Sequence, residues 1–266
     1  DGVTGVQTCA LPILYGVDEH YGVQELIDNH GVHGSFDLAN VLVRSGVRFW
    51  YQTSHLSDVG AMADLGATLR AAAGVTAFRN LRLGVLGFPF PGMGDFGLDT
   101  THLNATLGCA VEALPMGEFH GRVAQAPKSA VAGLVAEYRR SYRVHPDVKA
   151  EDLAAAARAE WALRAMIEAK KLNAYSYQFL AFAGDERAET VPFVAASRLM
   201  GEGIGFGGEG DLIAAAFATV LNRVAFPATF TEIFTIDFAG NGLLLAHMGE
   251  SNVAMARRDR PVELRQ

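Results

Sequence analysis

Two uninterrupted apolar runs of strand length, residues 81–88 (LRLGVLGF) and 109–116 (CAVEALPM), flank one helix-like stretch, residues 101–108 (THLNATLG). Strands buried on both faces read as continuous apolar runs, so this order is that of a parallel βαβ unit and commits the chain to an α/β fold. Residues 174–182 (AYSYQFLAF) read as a further strand. Helices are expected over 129–144 and over 151–171, the second with acids early and lysines late to suit the helix dipole. Residues 190–203 open a helix with Pro192 in its first turn and stop it at Gly201 or Gly203. A glycine-rich loop and a helix over 211–224 follow. Upstream, apolar clusters such as VRFWY (47–51) alternate with helical stretches, and residues 58–74 predict a helix closed by Gly74 as its C-cap.

After Pro227 the period changes to two: residues 228–238, a turn containing AGNG (239–242), then residues 243–248 predict a β-hairpin. The expected architecture is therefore a partial N-terminal α/β layer (14–77), a Rossmann-like central domain with a parallel sheet (78–224), and the start of an antiparallel β domain (225–266). A lone hairpin is marginal, so it must pack on the preceding domain or on further chain.

Among 266 residues the formal charge is -7 and no Lys/Arg stripe stands out, so the electrostatic footprint of a nucleic-acid binder is missing. No apolar run approaches the roughly 20 residues that cross a bilayer. A small-molecule partner is the expectation. The two cysteines, Cys9 and Cys109, lie a hundred residues apart and outside any CxxC spacing, which points to a reducing, cytoplasmic compartment. Cys109 sits in an apolar run and reads as core rather than nucleophile.

Two stretches match GxGxxG. The first, GMGDFG (92–97), follows a strand and precedes a helix, with Glu118 about 20 residues on, as a dinucleotide fingerprint asks. Pro89 and Pro91, however, separate strand from glycines, which favours a turn; a nucleotide-dependent oxidoreductase using this loop stays as the rival reading. The second, Gly203, Gly205 and Gly208, follows a helix, the wrong context for a Rossmann loop. It leads into Glu209 and Asp211 ahead of a helix, where Asp211 serves as an N-cap and Glu209 as a favourable charge at the positive end of the dipole.

Glu232 is harder to explain as surface. Alternation places it with Phe230, Phe234, Ile236 and Phe238 on the apolar face of its strand, where a carboxylate needs a cation, a metal or several donors. His247 lies on the return strand. If Asn241-Gly242 forms the turn, His247 opposes Ile236, roughly 13 Å along the strand from Glu232; if Ala239-Gly240 forms it, His247 opposes Glu232 with Cβ atoms about 5 Å apart. Turn preference favours the first and a shared ion the second.

The stretch RLMGEGIGFGGEGD (198–211), then TFTE (229–232), then HMGE (247–250), resembles in order and spacing the L-arabinose isomerase and L-fucose isomerase family, closer to the arabinose branch. Residues 71–88 are similar to the entry of its central domain, and NHGVHGSFDLAN (29–40) to a histidine-bearing loop of its N-terminal domain. Residues 3–13 (VTGVQTCALPI) resemble instead a translated sequencing-library adapter and are set aside with residues 1–13 as non-native. The family resemblance implies a metal-dependent aldose–ketose isomerase acting on a pentose or 6-deoxyhexose through an enediol. It implies Glu209, Glu232 and His247 as ligands of manganese or another divalent cation, with the two glutamates as proton carriers. It further implies Asp211 as a sugar-binding residue, a homo-oligomer when full length in which His30 and His33 reach the sugar site of a neighbouring subunit, polar contacts within their loop being the alternative for these two histidines, and a β-barrel begun by the hairpin. A fourth ligand histidine is expected further downstream, so the chain alone is expected to be inactive. A sugar-binding module that kept the fold without the chemistry is the non-enzymatic alternative. Leu212 and Ile213 stand where the arabinose enzymes carry an aromatic and a lysine, which leaves the sugar open.

Overall fold

A computed structural model describes residues 7–8, 20–28, 31–55 and 57–266. His30, Cys9 and the remainder of the adapter-like segment, residues 3–6 and 10–13, lie outside the described residues. The chain divides into two compact units, Asp1–Val75 and Thr76–Gln266.

The first unit holds strand β1 (Gln7–Thr8), helices α1 (Val23–Asp28) and α2 (Gly31–Arg44), strand β2 (Phe49–Trp50) and most of α3 (Val59–Arg79). β1 and β2 pair in parallel, Gln7 against Phe49. The segment around His33, likened to a loop, is helical: it falls in α2, where the Ser35 hydroxyl donates to the Gly31 carbonyl at 2.9 Å. Nor does Gly74 end α3. The apolar continuation through Ala77 and Phe78 packs onto the sheet of the second unit's core, so the helix gains burial by running on to Arg79.

The second unit continues with β3 (Arg82–Leu86), a 3-10 turn at Gly94–Phe96, α4 (Thr100–Leu107), β4 (Ala110–Leu114), α5 (Met116–Gln125), α6 (Lys128–Ser141), β5 (Arg143–Val144), α7 (Ala150–Lys170), β6 (Ala174–Tyr177), α8 (Leu180–Ala183) and α9 (Phe193–Gly201). Then come β7 (Gly205–Gly208), α10 (Leu212–Ala225), the hairpin β8 (Glu232–Asp237) and β9 (Gly242–Ala246), and β10 (Glu263–Leu264), which pairs with β5. β4, β3, β6 and β7 form one parallel sheet in that order. Alternation sends Leu86, Tyr175, Tyr177 and Phe206 to one face against α5, α7 and α9. Leu83 and Ala174 face the other way, against α4 and α10. Both faces are thus covered, as a parallel sheet requires, and the α/β class with a parallel, Rossmann-like central sheet holds.

Two local readings are corrected. The strand expected over 174–182 stops at Tyr177, because the Gln178 side-chain oxygen accepts from the Leu180 amide at 3.1 Å and turns the chain into α8. The glycine-rich stretch read as a loop contains β7, the sheet's fourth strand, fully buried. Its glycines are there for close approach: a Cβ on Gly205 would sit 2.5 Å from the Ala215 carbonyl oxygen, and one on Gly207 2.7 Å from the Ala215 amide, so α10 lies directly on the strand's backbone.

Candidate active site

Because β3 leads to β4 on one side and β6 lies on its other side, the strand order reverses between β3 and β6, and ligands of such sheets bind outside the carboxyl ends near that point. Three segments meet there. The loop after β3 donates the Phe90 amide to the Glu209 carbonyl at 3.0 Å. The end of β6 supplies the buried Ser176 hydroxyl, which accepts from the Gly210 amide at 2.8 Å, and Gln178, also buried. The end of β7 supplies Glu209, half-buried, with a left-handed φ of 62°. A non-glycine residue in that region costs on the order of 1–3 kcal/mol and persists where its surroundings hold it, as the two hydrogen bonds on the Glu209–Gly210 peptide do.

Asp211 caps α10, accepting from the Ala214 amide at 2.8 Å. Leu212 beside it is 5% exposed and packs in the core, which accounts for an apolar residue after the GEGD motif. The glycines of GMGDFG do not open α4: Leu98 and Asp99 intervene, and the Asp99 carboxylate accepts from the Thr101 and His102 amides, so the positive end of that helix is already answered by a carboxylate of its own chain. Glu118 lies on α5, paired with Arg122 at 3.0 Å.

The hairpin turn is four residues, 238–241, with Asp237 opposite Gly242. This is the register of an Ala239-Gly240 turn. A bulge at Phe234 then slips it by one, so Glu232 opposes Ala246 and His247 lies one position further on. Neither face of β8 is buried among the described residues, with Phe234 and Ile236 about half exposed, so the desolvation expected for Glu232 is absent here. His247 is nearly buried. Its ring stands edge-to-face against Phe230 at 4.8 Å, and its Nε2 would lie 3.0 Å from a Cβ on Gly208, the residue before Glu209. His33 is exposed on α2 of the first unit.

Burial, and then the charge of Glu232, raise the pKa of Glu209; burial lowers that of His247 against the opposing pull of Glu232. Glu232 thus acts on both. The three side chains share one electrostatic neighbourhood, yet no group of three or more His, Cys, Asp or Glu side chains among the described residues is gathered closely enough to hold a metal ion. As a donor set, two carboxylates and one imidazole suit a hard or borderline divalent cation rather than a thiolate zinc cage, so the residues fit such an ion chemically. One acidic residue went unread in the sequence. Glu250 is 4% exposed, and burial pushes it up to about 8, with Glu209's charge adding and the Tyr177 hydroxyl opposing. Its signal was the i, i+3 spacing from His247 within HMGE.

The arrangement defines a doubly wound α/β domain with its ionisable groups at the carboxyl edge of the sheet. A family model described as the L-arabinose isomerase central domain matches residues 97–226. An L-arabinose isomerase of Acidothermus cellulolyticus is 29% identical over 233 residues, 84% of this chain and 46% of that protein. That of an Arthrobacter species is 33% identical over 188 residues, 69% and 36%. That of Yersinia pestis is 28% identical over 245 residues, 88% and 48%. The chain belongs to the L-arabinose isomerase family. It spans about half the length, or less, of these relatives.

Proposed function

We propose that the chain supplies the carboxylate-bearing part of an aldose–ketose isomerase site for a pentose or 6-deoxyhexose. The observations that carry the reading are the seating of the His247 imidazole against Gly208, the residue before Glu209, and the charge of Glu232 acting on both Glu209 and His247. Glu209, Glu232 and His247 would hold a divalent cation, manganese by preference, which when bound polarises the sugar carbonyl. Isomerisation moves a proton from C2 of the aldose to C1 while the hydroxyl proton passes from O2 to O1. A carboxylate beside each carbon does this as general base and then acid, and a glutamate with a raised pKa keeps the proton long enough to return it. Asp211, already the helix cap, is assigned to sugar hydroxyls, and His30 and His33 to the sugar site of a neighbouring subunit in a homo-oligomer. The hairpin is read as the first two strands of an antiparallel β-barrel domain, which its exposed Ile233, Phe234, Leu243 and Leu244 support. Free, buried Cys109 suits a reducing cytoplasm.

The test is a chimera in which residues 97–250 replace the matching segment of the Arthrobacter relative. It is expected to isomerise L-arabinose with manganese present, and Glu209→Gln or Glu232→Gln to lower kcat by about 10²–10⁴-fold. A folded chimera whose activity survives both substitutions overturns the assignment.

A further inference from the structure

We propose that Glu250 is a positioning residue: it receives the Nδ1–H of His247 and so fixes the imidazole with its Nε2 lone pair turned toward the carboxyl end of β7. The His247 Nδ1 and the Glu250 Oε2 lie 3.7 Å apart, and both are buried without a hydrogen-bond partner among the described residues. A buried polar atom left unpaired costs about 1–3 kcal/mol, and the Glu250 carboxyl has two oxygens with which to answer both the imidazole and the Tyr177 hydroxyl, which is likewise buried without a partner and acts on it. A shift of about 0.8 Å brings the His247 Nδ1 and the Glu250 Oε2 to an ordinary N–H···O distance. The opposite edge of the ring carries Nε2, held against Gly208.

The backbone is built to keep this pair together. Gly249 adopts φ +105°, closed to other residues, and a Cβ there would lie 2.8 Å from the Phe193 ring, so the turn from 247 to 250 is pressed onto α9. Two residues on, the Asn252 side-chain amide donates to the carbonyls of Met200 at 3.1 Å and Ala228 at 2.7 Å, and its backbone amide donates to the Thr229 hydroxyl at 3.0 Å. Glu250 is therefore anchored from both sides. A histidine that ligates through one nitrogen is oriented by what its other nitrogen donates to, and a carboxylate is a common choice. The inference rests on the reading of His247 as a ligand through Nε2.

The experiment records two-bond proton–nitrogen correlations of the metal-free protein labelled with 15N-histidine, at alkaline pH, where His247 is neutral and the Glu250 carboxyl carries no proton, its signals assigned by their loss in His247→Asn. The expected result is the Nδ1–H tautomer in the wild type and in Glu250→Gln, whose amide oxygen still accepts, and its loss in Glu250→Ala. Nε2–H in the wild type, or Nδ1–H surviving in Glu250→Ala, overturns the proposal; the wild-type spectrum decides even where the alanine variant does not fold. Manganese titration then gives about 10–100-fold weaker binding in Glu250→Ala and recovery in Glu250→Gln. Should manganese fail to bind the wild type while the tautomers behave as described, the orienting role stands and the ligand reading falls.

Discussion

Glu160 on α7 is fully buried and accepts three hydrogen bonds: from the Tyr138 hydroxyl at 2.6 Å, Arg164 Nε at 2.8 Å and Arg198 Nε at 2.9 Å. Arg198 belongs to α9, the helix against which the segment carrying His247 and Glu250 is pressed. Its guanidinium, 9% exposed, has Glu137 at 2.9 Å as its other carboxylate. Replacing Glu160 by Gln keeps the shape and an acceptor for Tyr138 but removes the charge facing two arginines, one of them buried. Breaking a buried pair from one side costs about 3–5 kcal/mol, roughly a fifth or more of a typical domain's stability of about 5–15 kcal/mol. By contrast Glu202, which also pairs with Arg164 but is half exposed, should cost under about 1 kcal/mol as Gln. Urea unfolding of the Trp50→Phe background, followed by the fluorescence of Trp161 beside Glu160, compares the two. If Glu160→Gln loses no more than Glu202→Gln, the network does not hold α9 to α7 and the reasoning fails.

Asp211→Ala should lose about 1 kcal/mol by uncapping α10, while Asp211→Asn retains most of it, as thermal unfolding will report; an uncapped helix without loss of stability would contradict the assigned geometry. Gly207→Ala forces a methyl against the backbone of α10 and should cost at least about 1–3 kcal/mol, read as a lowered urea midpoint with unchanged slope. Arg164 holds the Glu202 carboxyl below its ordinary range. Its stabilising contribution is complete above the unfolded value of about 4.3 and is lost as pH falls through the lower folded value. Glu202→Gln should therefore flatten that part of the acid limb in a pH series of melting temperatures, and an unaltered limb would exclude the pairing.

Strands β3, β4 and β6 were legible as apolar runs, and α4 as the helix-like stretch between the first two of them. β7 was not legible. Gly205, Gly207 and Gly208 have no side chains to mark a strand, and their purpose, the close seating of α10, exists only in three dimensions. Gly74 misled for the converse reason, since a glycine inside a helix carries the same letter as one that ends it. Glu209, Asp211 and His247 were picked out by motif order, and both hairpin registers were left open. The bulge at Phe234, which slips one of them by a residue, leaves no trace in an alternating sequence. Glu250 was hidden because an acid in a turn reads as surface until the fold buries it.

The claim on which the rest depends is that Glu209, Glu232 and His247 serve one divalent cation. Pulsed electron paramagnetic resonance of the manganese-loaded protein addresses it directly. The account predicts one ion per chain with imidazole-nitrogen coupling that vanishes in His247→Asn, and binding that weakens in Glu209→Gln and Glu232→Gln. Manganese that does not saturate, or a nitrogen coupling indifferent to His247, would contradict it.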